Sequence, residues 1–128
     1  MSNPTLDDFI KAPKKRTFPI NSYVAEPGWD HIYVRYGPRV AFERIYKPVL
    51  DLANIQVEEV ERGQGLFTGL VGRLQEEHQD LSIFVENTHA RFGNHLLKMG
   101  FMVLPIDGFC NSYLNSYFLP AKVLGDHL

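Results

Sequence analysis

The feature that most constrains this chain is a loop with two glycines, placed between an apolar, strand-like segment and an amphipathic helix. The loop reads Arg62-Gly63-Gln64-Gly65 and follows the strand-like residues 49–57. After it, apolar side chains recur at helical spacing, namely Leu66, Leu70, Val71 and Leu74. Small side chains at the start of a helix leave backbone N–H groups open at the positive end of the helix dipole. The pattern therefore predicts an anion site for a ligand that carries phosphates.

Two common nucleotide motifs do not fit this loop. It has no Lys followed by Ser or Thr to make a Walker loop, and the third glycine of the dinucleotide fingerprint is missing. The preceding strand also belongs to an expected meander rather than to a parallel βαβ unit. A different phosphate ligand is therefore expected, which Gly63 and Gly65 would let approach the main chain and which Arg62 or Thr68 would contact.

The rest of the chain predicts a hairpin followed by alternating strands and helices. Residues 31–36 and 40–46 are typical of strands, and Gly37-Pro38-Arg39 between them suits a hairpin turn. Lys47-Pro48 predicts a break before a third, antiparallel strand at residues 49–57. The other predicted elements are helices at residues 5–12 (with Thr5 as N-cap), from 65 onward and at 88–99, and strands at 81–85, 101–104 and 113–119.

Composition indicates one globular domain over residues 1–128, of which 1–30 form a short N-terminal segment. Hydrophobic residues make up 45% of the chain and charged residues 22%. Lys and Arg number 13 against 15 Asp and Glu, so the charge balance argues against nucleic acid as a partner, and the Lys14-Lys15-Arg16 cluster reads as a solvated tail. The lone Cys110 and the lack of a signal peptide predict a cytoplasmic protein, and no apolar run reaches the ~20 residues that span a bilayer.

The chain resembles the GNAT acyltransferases in two motifs that occur in the family's order. The first is an apolar strand ending in Val57, followed by Arg-Gly-x-Gly and a helix; the second is Val85-Glu86-Asn87, a helix and Gly100-Phe101. The resemblance covers about residues 40–118. It implies an α+β fold with a mixed, mostly antiparallel central sheet, two main helices and a splayed strand pair that holds acetyl-CoA. The stretch at residues 87–92 also resembles short acetyltransferase-like proteins of tailed phages.

The resemblance implies that acetyl-CoA is the acyl donor and that its pyrophosphate lies on the glycine loop. The pantetheine arm would lie between the strand at residues 54–57 and the strand at 81–85, and a backbone N–H of residues 55–57 would stabilise the oxyanion. The implied cofactor-binding residues are Ile55, Gln56, Val57, Arg62, Gly63, Gln64, Gly65, Leu66, Phe67, Thr68, Asn87 and Asn94. No metal is expected.

The sequence also departs from the family pattern at positions that bear on the chemistry. Val60 stands where the family often has Gln or Arg, and Leu96 stands where many relatives have a tyrosine that protonates the leaving thiolate. Tyr113 or Tyr117 could replace that acid, although aromatic residues at strand spacing are more often core. For Asn87, an N-cap of the following helix is the alternative to a cofactor contact.

A general base must take a proton from the amine acceptor, and Asp51 is the first candidate for it. It lies six residues before Val57, as does the glutamate base in the histone-acetylating branch of the family. An exposed aspartate at a strand end is the competing interpretation. Glu58, the second catalytic candidate, competes with it, as do Glu86 and His89.

Three functional classes follow from the sequence. The first is an acetyl-CoA-dependent N-acyltransferase acting on a primary amine of a small molecule or a protein. The second is a catalytically inactive coenzyme A binder or interaction module, and the third is a nucleic-acid binder that uses the cluster at residues 14–16. The acceptor is not predicted, and the sequence leaves a homodimer open.

Overall fold

The structure, a computed structural model, describes residues 3–12, 20–57, 65–104 and 114–122. It is a mixed α+β fold with a six-stranded, mostly antiparallel open sheet and three helices in those residues. The elements in chain order are α1 (Leu6–Lys11), β1 (Ile20–Val24), β2 (Trp29–Ala41), β3 (Arg44–Val57), α2 (Leu66–Glu77), β4 (Ser82–His89), α3 (Ala90–Lys98), β5 (Met102–Leu104) and β6 (Leu114–Leu119).

The sheet has the strand order β1-β2-β3-β4-β6-β5. Its β3–β4 pair is parallel, with α2 as the crossover, and the other neighbouring strands pair antiparallel. This arrangement confirms the predicted mixed, mostly antiparallel sheet. Among the described residues, no helix is both long enough and apolar enough to cross a bilayer.

One face of the sheet packs against all three helices and forms the main core. Alternating strand residues supply it, because every second side chain of a strand points to the same face. Amphipathic α2 covers these residues with Phe67, Leu70, Val71 and Leu74, and α3 adds the fully buried Leu96. Helix α1 contributes Leu6 and Phe9, and the Thr5 side chain caps it by accepting from the Asp8 N–H at 3.1 Å.

The other face of the sheet, called the hairpin face below, carries a smaller apolar cluster of Ala41, Tyr46, Val49, Phe84 and Phe118. The end of the β2–β3 hairpin packs on it: the ring centroids of Tyr46 and Phe118 are 4.7 Å apart, and those of Phe42 and Phe118 are 6.3 Å apart. The hairpin thus buries apolar residues of β4 and β6 that none of the described helices covers.

The predicted turn at Gly37-Pro38-Arg39 is wrong. Strand β2 continues through these residues to Ala41, and the chain turns at Phe42 and Glu43, which have φ of 51° and 64°. The Lys47-Pro48 break is also wrong, since both residues lie inside β3. The pairing of β2 with β3 shifts register between Gly37 and Arg39, and a β-bulge accommodates the prolines that would interrupt a regular ladder.

The second half of the chain follows the predicted order of helix, strand, helix and two strands, with one change of boundary. Strand β4 extends to His89 and α3 begins at Ala90, so Asn87 is a strand residue. The expected N-cap role of Asn87 is therefore wrong. Strand β1, which was not predicted, pairs with β2 at the edge of the sheet.

Candidate active site

The parallel strands β3 and β4 separate at the middle of the sheet. Their paired positions run from Val49 and Ser82 to Leu52 and Val85. Beyond that point β3 continues to pair with β2 after a shift in register between Tyr33 and Val34, and β4 continues to pair with β6 after a shift between Val85 and Thr88. This confirms the predicted splayed pair, and Ile55, Gln56 and Val57 lie on the separated part of β3 while Asn87 lies on that of β4.

Helix α2 begins next to this region at Gly65. Gly65 has φ of 74°, in the left-handed region that favours glycine, and gives the first turn no side-chain cap. The first turn of α2 contains no acidic residue. Among the described residues no side chain caps its leading N–H groups, which can therefore bind an anion from outside the helix. The preceding residues Glu58, Arg62, Gly63 and Gln64 lie outside the described residues.

The side chains in this first turn point away from a ligand at the helix start. Phe67 is buried, with its ring centroid 4.9 Å from that of Phe92, and Leu66 packs against the main core. The Thr68 hydroxyl lies 3.2 Å from His95 Nε2 on α3. The predicted contacts of residues 65–68 with a cofactor are therefore available mainly through the main chain, and Asn94 is an exposed residue of α3.

A cluster of four charged side chains lies on the hairpin face where the strands separate. Asp51 of β3 is paired with Arg35 of β2 on one side and with Phe84 of β4 on the other. Arg35 Nη1 donates to Glu86 Oε2 at 2.8 Å and lies 3.6 Å from Asp51 Oδ2. Arg39 Nη1 lies 3.5 Å from the same oxygen, and its guanidinium stacks 3.6 Å above the Phe84 ring.

Asp51 is buried, with 3% of its surface exposed, so it is not the exposed strand-end aspartate of the competing interpretation. Burial, with the neighbouring Glu86 carboxyl, raises the pKa of Asp51 to about 8, and the charges of Arg39 and Arg35 oppose this rise. Neither Asp51 oxygen has a hydrogen-bond partner among the described residues, nor does the buried Arg39 Nε. Both residues line a cavity of about 30 Å³ with Arg35, Gly37, Pro38 and Val49.

The sequence does not predict the arginines of this cluster, because Gly37-Pro38-Arg39 is typical of a turn. With β2 continuous, Arg35 and Arg39 flank the shift in register and come to the same carboxylate. The available signal was the unbroken run of β-branched and aromatic residues on both sides of Gly37-Pro38.

The residues considered as proton donors occupy different surroundings. Leu96 is fully buried in the main core, and Tyr117 is 4% exposed, with its hydroxyl against Gly93 of α3. Tyr113 lies outside the described residues, and His89 is the last residue of β4. Tyr117 is therefore a core residue, as its strand spacing favours.

A second, larger cavity of about 300 Å³ lies beside the first turns of α2. It is lined by Glu26 and Pro27 before β2, by Trp29 at the start of β2, and by the N-cap Gly65 with Leu66, Gly69, Leu70 and Arg73 of α2. The Arg73 guanidinium donates to Glu26 across it. This cavity lies on the side of α2 that faces Trp29, whereas Thr68 faces α3.

Comparisons with known proteins show which known fold this chain has. No protein-family model matches the chain, and no curated protein matches it. The chain is similar to a mutant of the AtaT toxin bound to the C-terminus of the antitoxin AtaR and acetyl-CoA, with a TM-score of 0.51 and 17% identity over 72% of this chain and 58% of that one. It thus spans little more than half of that toxin.

Two further structures are similar at lower scores. The same toxin bound to the antitoxin C-terminus matches with a TM-score of 0.49 and 18% identity over 71% of this chain and 59% of that one. A KacTA–DNA complex matches with a TM-score of 0.48 and 16% identity over 91% of this chain and 79% of that one. The inference of fold rests on the first structure: AtaT is a GNAT-fold toxin, and the present chain has the GNAT fold.

Proposed function

We propose that this chain is an acetyl-CoA-dependent N-acetyltransferase, built as one domain, that transfers an acetyl group to a primary amine of a small molecule or a protein. The observation that carries the proposal is the placement of Asp51 and Glu86 beside the point where β3 and β4 separate, in a chain whose helix α2 starts without a side-chain cap. The fold supports it, since a similar GNAT-fold toxin binds acetyl-CoA.

The main chain would hold most of the cofactor. The leading N–H groups of α2 and the glycine loop would bind the pyrophosphate, because they present donors at the positive end of the helix dipole. The pantetheine arm would lie in the opening between β3 and β4, where the two strands no longer pair with each other. Bound there, acetyl-CoA supplies a thioester carbonyl carbon as the electrophile.

Transfer requires that the amine nitrogen form a bond to this carbon while the carbon–sulfur bond breaks. A backbone N–H of residues 55–57 would stabilise the negative charge that develops on the carbonyl oxygen. Asp51 would accept the proton that the amine loses. With a pKa of about 8, its carboxylate is a stronger base than an ordinary aspartate, and it is the minor form at pH 7 and the major form above pH 8.

The departing thiolate would take its proton from solvent. Leu96 has no ionisable group and is fully buried, so position 96 supplies no acid. Direct attack by a deprotonated amine therefore suits this site better than a mechanism with a tyrosine acid. Glu58 and Glu86 are the rival bases, and Glu86 is the more exposed member of the described carboxylate pair.

A coenzyme A binder without catalysis is the second candidate function. The burial of Asp51 and the leucine at position 96 favour it, because a catalytic base must reach the acceptor. Two measurements separate the candidates: calorimetric titration with acetyl-CoA, and release of free thiol in the presence of a panel of amines. Binding with turnover supports the transferase, binding without turnover supports the binder, and no binding at millimolar acetyl-CoA overturns both.

A further inference from the structure

The two arginines of the charged cluster have different partners. Arg35 donates a hydrogen bond of 2.8 Å to Glu86 and lies 3.6 Å from Asp51. Arg39 forms its ion pair with Asp51 at 3.5 Å, and among the described residues no other carboxylate lies within ion-pairing distance of it. Arg39 is therefore the counter-ion of Asp51, whereas Arg35 is shared with Glu86.

Among the described residues, Arg39 is held by packing and an ion pair, and no hydrogen bond to its side chain is present. Its guanidinium lies 3.6 Å from the centroid of the Phe84 ring, and Phe84 is itself buried and directly paired with Asp51. Stacking of a planar guanidinium on an aromatic face fixes the position of its charge. The register shift of β2 between Gly37 and Arg39 places the side chain over this ring.

The pairing leaves the buried carboxyl group of Asp51 without a hydrogen-bond donor among the described residues. Arg39 Nη1 is close enough to stabilise a negative charge, yet neither oxygen of Asp51 accepts a hydrogen bond from a described residue. A carboxylate that accepts two or three strong hydrogen bonds is a weak base, because these bonds stabilise its charged form. An ion pair without such bonds leaves the buried Asp51 carboxylate a stronger base than a fully hydrogen-bonded one.

We infer that Arg39 is a positioning residue for Asp51: stacked on Phe84, it keeps a positive charge beside the buried carboxyl group without donating a hydrogen bond to either carboxyl oxygen, so that Asp51 can still take up the proton of the acceptor. This inference rests on the proposed role of Asp51 as the base. The cavity of about 30 Å³ lined by Arg39 and Asp51 has room for one water-sized group at these oxygens.

The charged groups around Asp51 show how Arg39 affects the ionisation of its carboxyl group. Burial and Glu86 of β4 favour the neutral acid, while Arg39 and then Arg35 of β2 favour the carboxylate. These three side chains are the charged groups of the described residues that face Asp51. Without Arg39, the pKa of Asp51 rises further above about 8, and the carboxylate, already the minor form at neutral pH, becomes rarer still.

The test is an NMR titration of the Asp51 side-chain carboxyl carbon in the wild type and in Arg39→Gln, Arg39→Lys and Arg44→Gln. Arg44 is an exposed arginine of the same hairpin that makes no ion pair with Asp51. We expect the titration midpoint to rise by about one pH unit or more in Arg39→Gln and to stay near the wild-type value in Arg44→Gln. Arg39→Lys keeps the charge and should lie between them.

The pH profile of acetyl transfer provides the second readout. Its ascending limb should move to higher pH in Arg39→Gln, with a loss of about tenfold at pH 7 and unchanged acetyl-CoA affinity. An unchanged Asp51 midpoint in both Arg39 variants overturns the inference, whether or not the protein transfers acetyl groups. A raised midpoint in a protein that acetylates no amine supports the pairing of Arg39 with Asp51 and contradicts the proposed function instead.

Discussion

Leu52 of β3 and Val85 of β4 are the last residues paired between these two parallel strands, and their side chains point into the main core. Asp51 precedes Leu52 and Glu86 follows Val85, so alternation places both carboxyl groups on the opposite, hairpin face of the sheet. The two strands thus begin to separate at a point that is flanked by the carboxyl groups of Asp51 and Glu86. This arrangement is the basis for the proposal that an amine is deprotonated there.

Replacing Asp51 with asparagine should lower turnover with the true acceptor by about 10²-fold or more, within the usual range for a general base. Acetyl-CoA affinity should remain nearly unchanged, because the cofactor would be held by main-chain groups of β3 and α2. Steady-state kinetics with calorimetric binding would measure both quantities. The acceptor must be identified first, since a surrogate amine that is already deprotonated would conceal the defect.

Glu86→Gln is the comparison for this variant, because it removes the neighbouring carboxylate and leaves Asp51 in place. We expect a smaller loss of turnover than in Asp51→Asn. Full turnover of Asp51→Asn across about pH 6 to 9, with the true acceptor, would show that Glu58, Glu86 or desolvation of the amine itself provides deprotonation instead.

The raised pKa of Asp51 predicts a dependence of stability on pH. The folded protein holds the Asp51 proton up to about pH 8, whereas the ordinary value is 3.8, so the folded state binds more protons between these values. The contribution of Asp51 to the free energy of unfolding is therefore fully present below about pH 4 and is lost as the pH rises through 8. Urea denaturation of the wild type at several pH values from 5 to 9 would measure this fall.

Asp51→Asn should flatten that profile, since asparagine keeps the shape of the neutral acid and does not titrate. Asp80→Asn, at an exposed aspartate, should leave it unchanged. If Asp51→Asn and the wild type lose stability with the same slope, Asp51 does not titrate in this range in the folded protein.

The parts of the fold that the sequence predicts correctly are those that depend on residues close together in the chain. The periodicity of residues 66–77 and the Thr5 cap define helices without tertiary contacts, and both helices are present. The hairpin was misplaced because Gly37-Pro38 and Lys47-Pro48 are also what a bulge requires, and a single sequence does not distinguish a bulge from a turn. The actual turn uses Phe42 and Glu43, which rarely adopt positive φ.

The candidate site is predictable only in part, because local patterns can be read from the sequence whereas contacts between strands cannot. Its local element, the glycine start of α2, is a pattern within a few residues and was found. The charged cluster joins Arg35 and Arg39 of β2 to Asp51 of β3 and Glu86 of β4. These contacts depend on the strand register, which the misplaced turn would have shifted. Asp51 was found through the family resemblance, and its burial and its arginine partners were not.

Gly93 of α3 should not tolerate a side chain. A Cβ at this position would lie 2.1 Å from the Tyr117 hydroxyl oxygen, and Tyr117 is buried in the main core. Gly93→Ala should therefore lower the free energy of unfolding by about 1–3 kcal/mol, as overpacking does, even though alanine favours helices. Chemical denaturation would measure the change.

Gly72→Ala on α2 is the matched control, because nothing lies within 4 Å of the Cβ that it adds. We expect it to stabilise the protein slightly. Tyr117→Phe should reduce the cost of Gly93→Ala only in part, since it removes the hydroxyl oxygen and leaves the ring carbon Cζ 2.6 Å from the added Cβ. A Gly93→Ala variant as stable as the wild type would contradict the predicted clash.

The start of α2 allows a test that separates helix geometry from cofactor binding. Gly65 has φ of 74°, so Gly65→Ala should cost about 1–2 kcal/mol of stability through backbone strain. Gly69→Ala adds the same methyl group in open space one turn later and should instead stabilise the helix by about 0.4–1 kcal/mol. Acetyl-CoA affinity should fall in Gly65→Ala alone, because only this change displaces the leading N–H groups that would bind the pyrophosphate. Equal affinity in both variants, measured by calorimetry where each is fully folded, would exclude the start of α2 as the phosphate site.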